Sequence, residues 1–186
     1  MDKVLEAGVQ YGDVKMDSKY LSLVNDFAKG AKGYCDLVDE YKLKTRSEFI
    51  YYAFLYITDL CNMAIQLPRI SEVQDIDISR DKNTDPKFDQ MKVLCEFLGD
   101  WVYSRQVFDG TAPEGDRQGD VVTADLADDL TDIYRNLRDG LKYFDEGDPD
   151  EAVWQWKFSF GIHWGRHATS ALRAIYCRLA KGEMEL

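Results

Sequence analysis

The residues best suited to chemistry in this sequence are its two histidines, His163 and His167, which lie four positions apart in the string His-Trp-Gly-Arg-His. On a helix this spacing places both imidazoles on one side, and histidine pairs of this kind occur among the ligands of protein-bound metal ions. Two ligands do not complete a coordination shell, and the predicted helix contains no acidic residue after Glu151. The pair by itself therefore does not establish a metal site.

A neighbouring helix could supply the missing ligands as carboxylates, and Asp128 and Asp132 are the candidates. Arg166 lies between the two histidines, however, and its positive charge would compete with a metal ion for the same carboxylates. We therefore predict that the protein holds no metal ion and no other cofactor. The histidines are expected to be hydrogen-bonded side chains of the core or of a cleft.

The same segment is rich in aromatic residues, which suggests an alternative in which it forms the wall of a small-molecule pocket. Aromatic rings would supply the apolar surface, and the histidines and the arginine would bind an acidic ligand. The candidate ligand-binding face consists of Trp156, Phe160, His163, Trp164, Arg166 and His167.

The helix that carries these residues is predicted to span residues 149–181 as one long, largely buried element. Helical spacing gives it two apolar faces, one with Trp156 and Trp164 and the other with Phe158 and Ile162. A helix that is apolar on two faces is expected to lie in the middle of a bundle.

Between these faces lies a narrow polar strip with arginines that need partners. The preceding helix carries aspartates at spacings of three and four, and the tight Gly147-Asp-Pro turn between the two helices favours antiparallel packing. We therefore predict a structural charge network between them, the alternative being a solvated acidic face. The predicted network consists of Asp125, Asp128, Asp129, Asp132 and Arg173.

Charge and hydropathy limit the classes of partner. The formal net charge is −11, and residues 100–151 hold fifteen acidic and five basic side chains. This segment repels phosphate backbones, which argues against nucleic acid as a partner. No apolar run approaches the roughly 20 residues of a membrane-spanning helix, and the first residues lack the apolar core of a secretory signal. We expect a cytoplasmic protein that makes no membrane contact.

The four cysteines give no sign of a disulfide framework or a zinc site. They are far apart in the sequence, and each falls within a helical pattern. We expect buried, reduced thiols that act as small apolar side chains. The residues concerned are Cys35, Cys61, Cys95 and Cys177.

Helical periodicity accounts for most of the chain, and apolar residues make up 45% of its 186 positions, enough for one core. The predicted fold is all-α: a single-domain bundle of about five helices over residues 18–182. Residues 1–17 are expected to form a loose N-terminal arm, and residues 183–186 a short tail. The helices are predicted near residues 18–41, 45–67, 85–98, 122–146 and 149–181.

Several long, aromatic strings support a family resemblance. They are Val107-Phe-Asp109, residues 127–134 and 137–141, the string Glu151-Ala-Val-Trp-Gln-Trp-Lys-Phe-Ser-Phe160, Trp164-Gly165 and Ala171-Leu-Arg-Ala174. On these strings the C-terminal half resembles the bacterial domain of unknown function DUF5063. The resemblance implies an all-helical cytosolic protein without an assigned activity, cofactor or catalytic residue. It also implies that the two histidines are a feature of this branch, since the shared aromatic pattern does not require them.

The sequence favours a non-enzymatic binding or protein-interaction domain, because it contains no recognisable catalytic constellation. Its acidic loop and fourth helix would then face a partner protein. The alternative is a small-molecule pocket or an enzyme built on the candidate ligand-binding face. An acidic mimic of nucleic acid is a third possibility.

Overall fold

The computed structural model describes residues 18–70, 87–99, 101–106 and 121–182, and the described part is mainly helical. The predicted all-α class is confirmed, with the addition of one small antiparallel ribbon. The predicted arm at residues 1–17 and the tail at 183–186 lie outside the described residues. The elements are α1 (Ser18–Asp39), a 3-10 turn (Tyr41–Leu43), α2 (Arg46–Gln66), α3 (Lys87–Leu98), β1 (Val102–Gln106), β2 (Val121–Asp125), α4 (Leu126–Glu146), α5 (Pro149–Ser159), a π-helical segment (Phe160–Trp164) and α6 (Gly165–Ala180).

Most helices begin and end where the sequence predicts, because capping residues and glycine fix their ends locally. Helix α2 begins at the capping box, in which the Thr45 hydroxyl accepts from the Glu48 backbone N–H and the Glu48 carboxylate accepts from the Thr45 N–H. Gly147 ends α4 in the left-handed conformation, at φ +90°. The Asp148 side chain then caps α5, and Pro149 takes its first position.

Helix α4 lies at the centre of the bundle. It contacts α1, α3, α5 and α6, and it is buried on its acidic side as well as on its apolar side. The apolar side meets a core in which the rings of Phe27 and Trp156 lie 4.8 Å apart. Because a Cβ on Gly140 would lie 2.1 Å from the Trp156 indole nitrogen, only glycine allows the indole to pack there.

The antiparallel ribbon was not predicted, and it corrects the start of the fourth helix. Strand β1 pairs with β2 so that Tyr103 lies opposite Ala124. The sequence prediction began the helix near Val122, but the chain stays extended until Asp125, whose side chain caps α4 by accepting from the Ala127 N–H at 2.7 Å. The β-branched residues at the start of β2 favour this extended conformation.

The predicted long C-terminal helix is present, and it contains a π-helical segment at Phe160–Trp164. Its second apolar face is not buried, since Phe158, Ile162 and Tyr176 are 45%, 60% and 63% exposed. The expectation of a helix enclosed on two sides is therefore wrong. Helices α4 and α2 pack against the last helix within the described residues, and they leave this face uncovered.

No helix in the described part of the chain combines the length and the apolar character that crossing a bilayer requires.

Candidate metal centre

A buried polar cluster lies where the acidic side of α4 meets the last helix. Asp129, Asp132 and His167 are only 1%, 3% and 5% exposed. Ionised carboxylates that are so far removed from water must be paired or bound to a cation, because burial of an isolated charge is very unfavourable. The contacts of these three side chains therefore determine what the cluster can bind.

The two nitrogens of His167 face two different aspartates. Nδ1 lies 2.7 Å from Oδ1 of Asp129, which is a short hydrogen bond. Nε2 lies 3.6 Å from Oδ2 of Asp132, which is too long for a direct hydrogen bond. When Nδ1 carries the proton that Asp129 accepts, Nε2 presents a lone pair toward a carboxylate oxygen that also carries lone pairs. A cation between the two atoms would satisfy both lone pairs, and so would a proton on Nε2.

His163 approaches the same carboxylate from the π-helical segment. Its ring centroid is 4.9 Å from that of His167, and its Nδ1 lies 2.9 Å from the amide nitrogen of Asn136. The same amide nitrogen lies 2.7 Å from the backbone carbonyl oxygen of Asp132, to which it donates. Asn136 thus fixes the His163 ring relative to the turn of α4 that carries Asp132.

Asp132 is held by a cation on its other oxygen. Nη1 of Arg135 lies 3.3 Å from Oδ1, and the two side chains are 15% and 4% exposed. Oδ2 lies on the side of His167. The contact with Arg135 helps to fix the orientation of the carboxylate.

The donor atoms that Asp132, His163 and His167 offer all lie within 4.8 Å of one another. In a tetrahedral site with ligand distances of about 2.0–2.1 Å, neighbouring donors lie about 3.3–3.4 Å apart. The 3.6 Å between His167 and Asp132 is close to that value, so the outermost pair must close by on the order of 1 Å on binding. Half-buried His163 has the most freedom to make this movement.

The π-helical segment positions His163 and depends on a glycine. The N–H of Gly165 donates to the carbonyl oxygen of Phe160, five residues earlier, instead of the usual four. A Cβ on Gly165 would lie 2.4 Å from that oxygen, so a side chain at this position would disrupt the wide turn. Segments of this kind occur frequently at functional sites.

The predicted ligand-binding face is not one continuous surface. His163 and His167 come together, whereas Trp156 and Trp164 are fully buried in the aromatic core and Arg166 is exposed. Phe160 packs half-buried against Trp164, with the ring centroids 4.6 Å apart. The expectation that the aromatic rings line the same pocket as the histidines is therefore corrected.

The predicted charge network also needs correction, since its cation is Arg135 and not Arg173. Arg173 is exposed and makes no ion pair with an aspartate in the described ranges, because it lies about 120° around the helix from His167. Asp125 caps α4 and accepts a long contact, 3.9 Å, from the Cys95 thiol. Of the predicted acids, Asp129 and Asp132 belong to the cluster, whereas Asp128 is only half-buried.

Sequence reasoning missed three partners of the cluster: Tyr103, Arg135 and Asn136. Tyr103 on β1 donates its hydroxyl hydrogen to Oδ2 of Asp129. The two α4 residues follow Asp132 by three and four positions, a spacing at which side chains meet on one face of a helix. No comparable signal exists for Tyr103, because only the ribbon brings it to α4.

The cysteines are all reduced, and their environments differ. Cys35 is buried, Cys61 and Cys95 are half-buried, and Cys177 is exposed. Burial raises the pKa of the Cys35 thiol to about 12 and that of Cys61 to about 11. The expectation of four buried thiols therefore holds fully for Cys35 alone.

Comparison with known proteins identifies the fold and a family. The family model for the domain of unknown function DUF5063 matches residues 18–181. A crystal structure of a Bacteroides fragilis protein, a target of the Northeast Structural Genomics Consortium, matches 86% of this chain and 91% of its own, with a TM-score of 0.67 and 18% identity. At that identity the likeness concerns the fold alone. No curated protein matches the sequence.

Proposed function

This chain belongs to the DUF5063 family, as its aromatic strings predicted, and from its own buried cluster we propose that it is a non-enzymatic helical domain that binds a divalent transition-metal ion. The ligands in this proposal are Asp132, His163 and His167. The proposal revises the expectation of no metal, which depended on the lack of a third ligand and on competition from Arg166. Asp132 is a suitable third ligand, and Arg166 is exposed.

One observation carries the proposal: Nε2 of His167 and Oδ2 of Asp132 face each other at 3.6 Å in a buried environment. A proton shared between these atoms would draw them to hydrogen-bond distance, about 2.7–3.2 Å. A metal ion between them would hold them slightly farther apart, as two ligands of one coordination shell. The 3.6 Å between them lies in the range of neighbouring ligands of one ion.

The donor set indicates the class of ion. Two imidazole nitrogens and one carboxylate oxygen suit zinc and ferrous iron, whereas calcium and magnesium prefer sites made wholly of oxygen ligands. Three protein ligands leave at least one position for water or another small ligand.

A binding role is favoured over catalysis because the polar neighbours of the ligands are engaged in holding them. Asp129 binds His167, Asn136 binds His163, and Arg135 binds Asp132. The bond to Asp129 holds the His167 ring as an outer partner of a metal ligand does, whereas the Asn136 N–H occupies the lone pair on Nδ1 of His163, so His163 must exchange this bond for the metal on binding. A general acid or base would instead need to face the substrate position.

Zinc titration of chelator-treated protein by isothermal calorimetry tests the proposal. We expect one equivalent to bind, and His163→Ala to weaken affinity by more than about 100-fold, since removal of even an outer partner costs 10- to 100-fold. His163 is half-buried, so this variant should fold, which circular dichroism checks. Arg173→Ala is the matched control on the same helix and should bind zinc like the parent. Equal zinc affinity of His163→Ala and the parent, or no stoichiometric binding by the parent, would refute the proposal.

A protein-interaction role is a second candidate, supported by the uncovered apolar face of the last helix. Phe158 and Ile162 are one turn apart on it, and the end of α2 lies near Lys157, whose Nζ donates to the carbonyl oxygen of exposed Ile65 at 2.7 Å. Lys157 and Arg166 give this face a basic rim, which suits a partner with an apolar centre and acidic edges.

The interaction candidate can be tested with a photo-crosslinking amino acid at position 158. We expect a discrete crosslinked partner in cells that is lost when Ile162→Asp is added. Crosslinking that is unaffected by Ile162→Asp would count against the apolar face as the contact surface.

A further inference from the structure

Asp129 is bound on both of its oxygens by side chains from two other elements. Oδ1 accepts from Nδ1 of His167 on α6 at 2.7 Å, and Oδ2 accepts from the hydroxyl of Tyr103 on β1. Both contacts are well removed from water, since Asp129 is 1% exposed. One α4 carboxylate therefore connects the ribbon to the histidine that faces Asp132.

This arrangement determines what His167 can offer to a metal. In a neutral imidazole whose Nδ1 donates to Asp129, Nε2 is the nitrogen that carries the lone pair for a metal. The bond to Asp129 also fixes the rotation of the ring, so that Nε2 stays directed at Oδ2 of Asp132. Tyr103 in turn fixes the Asp129 carboxylate by occupying its second oxygen.

We propose that Tyr103 and Asp129 are positioning residues that set the metal affinity of His167, and that metal binding in return tightens the ribbon against α4. This inference rests on the proposed metal-binding function. The two effects are linked, because a coupling free energy between two contacts acts equally in both directions.

The ribbon is placed so that this coupling can be measured. Strand β2 runs directly into α4, and the N–H of Leu126 donates to the carbonyl oxygen of Trp101 at 3.2 Å, immediately before β1. In addition to that backbone bond, the hydrogen bond from the Tyr103 hydroxyl to Asp129 connects β1 to the polar cluster. Stabilising His167 in one orientation should therefore protect the amides of β1 and β2 from exchange.

A second tyrosine on the opposite side of the bundle provides a matched control. The hydroxyl of Tyr134 donates to Oδ1 of Asp39 at 2.8 Å, so Tyr134→Phe removes a tyrosine–aspartate bond like the one that Tyr103→Phe removes. Asp39 lies on α1. Neither Tyr134 nor Asp39 is one of the proposed metal ligands.

Zinc affinity, measured by competition with a chromogenic chelator, tests the positioning role. We expect Asp129→Ala to weaken binding by about 10- to 100-fold, and Asp129→Asn to recover part of the loss because its amide oxygen can still accept from Nδ1. Tyr103→Phe should weaken binding by less than about tenfold, and Tyr134→Phe should leave affinity unchanged. Cobalt-substituted Asp129→Ala should also show a changed visible absorption spectrum.

Hydrogen exchange of the parent with and without zinc tests the return effect. We expect slower exchange in β1 and β2 when zinc is bound, and a loss of this protection in Tyr103→Phe. If the parent binds zinc but Tyr103→Phe and Asp129→Ala bind it equally well, or if zinc leaves ribbon exchange unchanged, the inference is wrong while the proposed function stands. If the parent binds no zinc, the proposed function itself fails. Should Asp129→Ala not fold, Tyr103→Phe with its tyrosine control still decides the question.

Discussion

Helix α4 is buried on two sides, and the two sides bury side chains of different kinds. Its apolar side presents Leu130, Ile133 and Leu137 to the aromatic core, whereas its acidic side presents Asp129 and Asp132 to the last helix. All five side chains are almost completely removed from water. The comparison shows that on this helix burial does not distinguish structural residues from candidate functional ones.

The difference lies in how the polar atoms are satisfied. In the aromatic core they donate to backbone carbonyls: the indole of Trp156 to Leu137, the indole of Trp164 to Trp156, and the hydroxyl of Tyr34 to Leu130. In the polar cluster, side chains bind other side chains, and the pair formed by His167 and Asp132 is left at 3.6 Å. The first region is satisfied by backbone carbonyls, whereas the second is the one in which we propose that a cation binds.

The largest effect is expected from truncation in the aromatic core. Trp156→Ala removes a fully buried indole and should lower the free energy of unfolding by about 3–5 kcal/mol. Phe158→Ala, two positions away but 45% exposed, should lower it by less than about 1 kcal/mol. Urea denaturation followed by circular dichroism measures both values. Similar losses for the two variants would mean that the aromatic core does not dominate stability.

An intermediate effect is expected from the arginine of the polar cluster. Arg135→Ala removes one ion-pair partner of the buried Asp132 carboxylate and should cost about 1–3 kcal/mol. Arg173→Ala changes an exposed residue and should stay within about 0.5 kcal/mol of the parent. The same denaturation assay compares them. A larger loss for Arg173→Ala would restore the network predicted from the sequence.

The smallest effect, and one of opposite sign, is expected at Glu151, whose buried Oε1 has no hydrogen-bond partner in the described part of the chain. Burial, and then the charge of Asp148, raise the pKa of Glu151 above its usual value. A raised carboxyl pKa favours the protonated form in the folded state, so ionisation at neutral pH is destabilising. Glu151→Gln should therefore stabilise the protein at pH 7 by up to about 1 kcal/mol.

This gain should disappear as the pH falls below the ordinary glutamate pKa, because the parent is then protonated in both the folded and the unfolded state. Thermal unfolding of both proteins at pH 7 and pH 4 measures the difference. A gain that persists unchanged at pH 4 would show that it arises from packing and not from the charge.

Local sequence determined the helical class and most of the helix ends. The capping box at Thr45, the Gly147 stop and the Asp148-Pro149 start act within a few residues of chain, so they can be read without knowledge of the fold. The four-residue spacing of His163 and His167 likewise predicted that their rings would lie close together. The aromatic strings were specific enough to predict the family.

The tertiary structure alone decided which faces are covered. Helical spacing predicts that Phe158 is buried and leaves open whether the aspartates of α4 are paired or solvated; in the structure Phe158 is exposed and Asp129 is buried, because α4 is surrounded by four helices and the last helix is not. The same packing brings Asp132 to the histidine pair and Tyr103 to Asp129, across 31 and 26 residues of sequence at the closest. Such contacts depend on how whole elements pack together. That packing is determined by the total apolar surface that the core buries, and no local spacing specifies it.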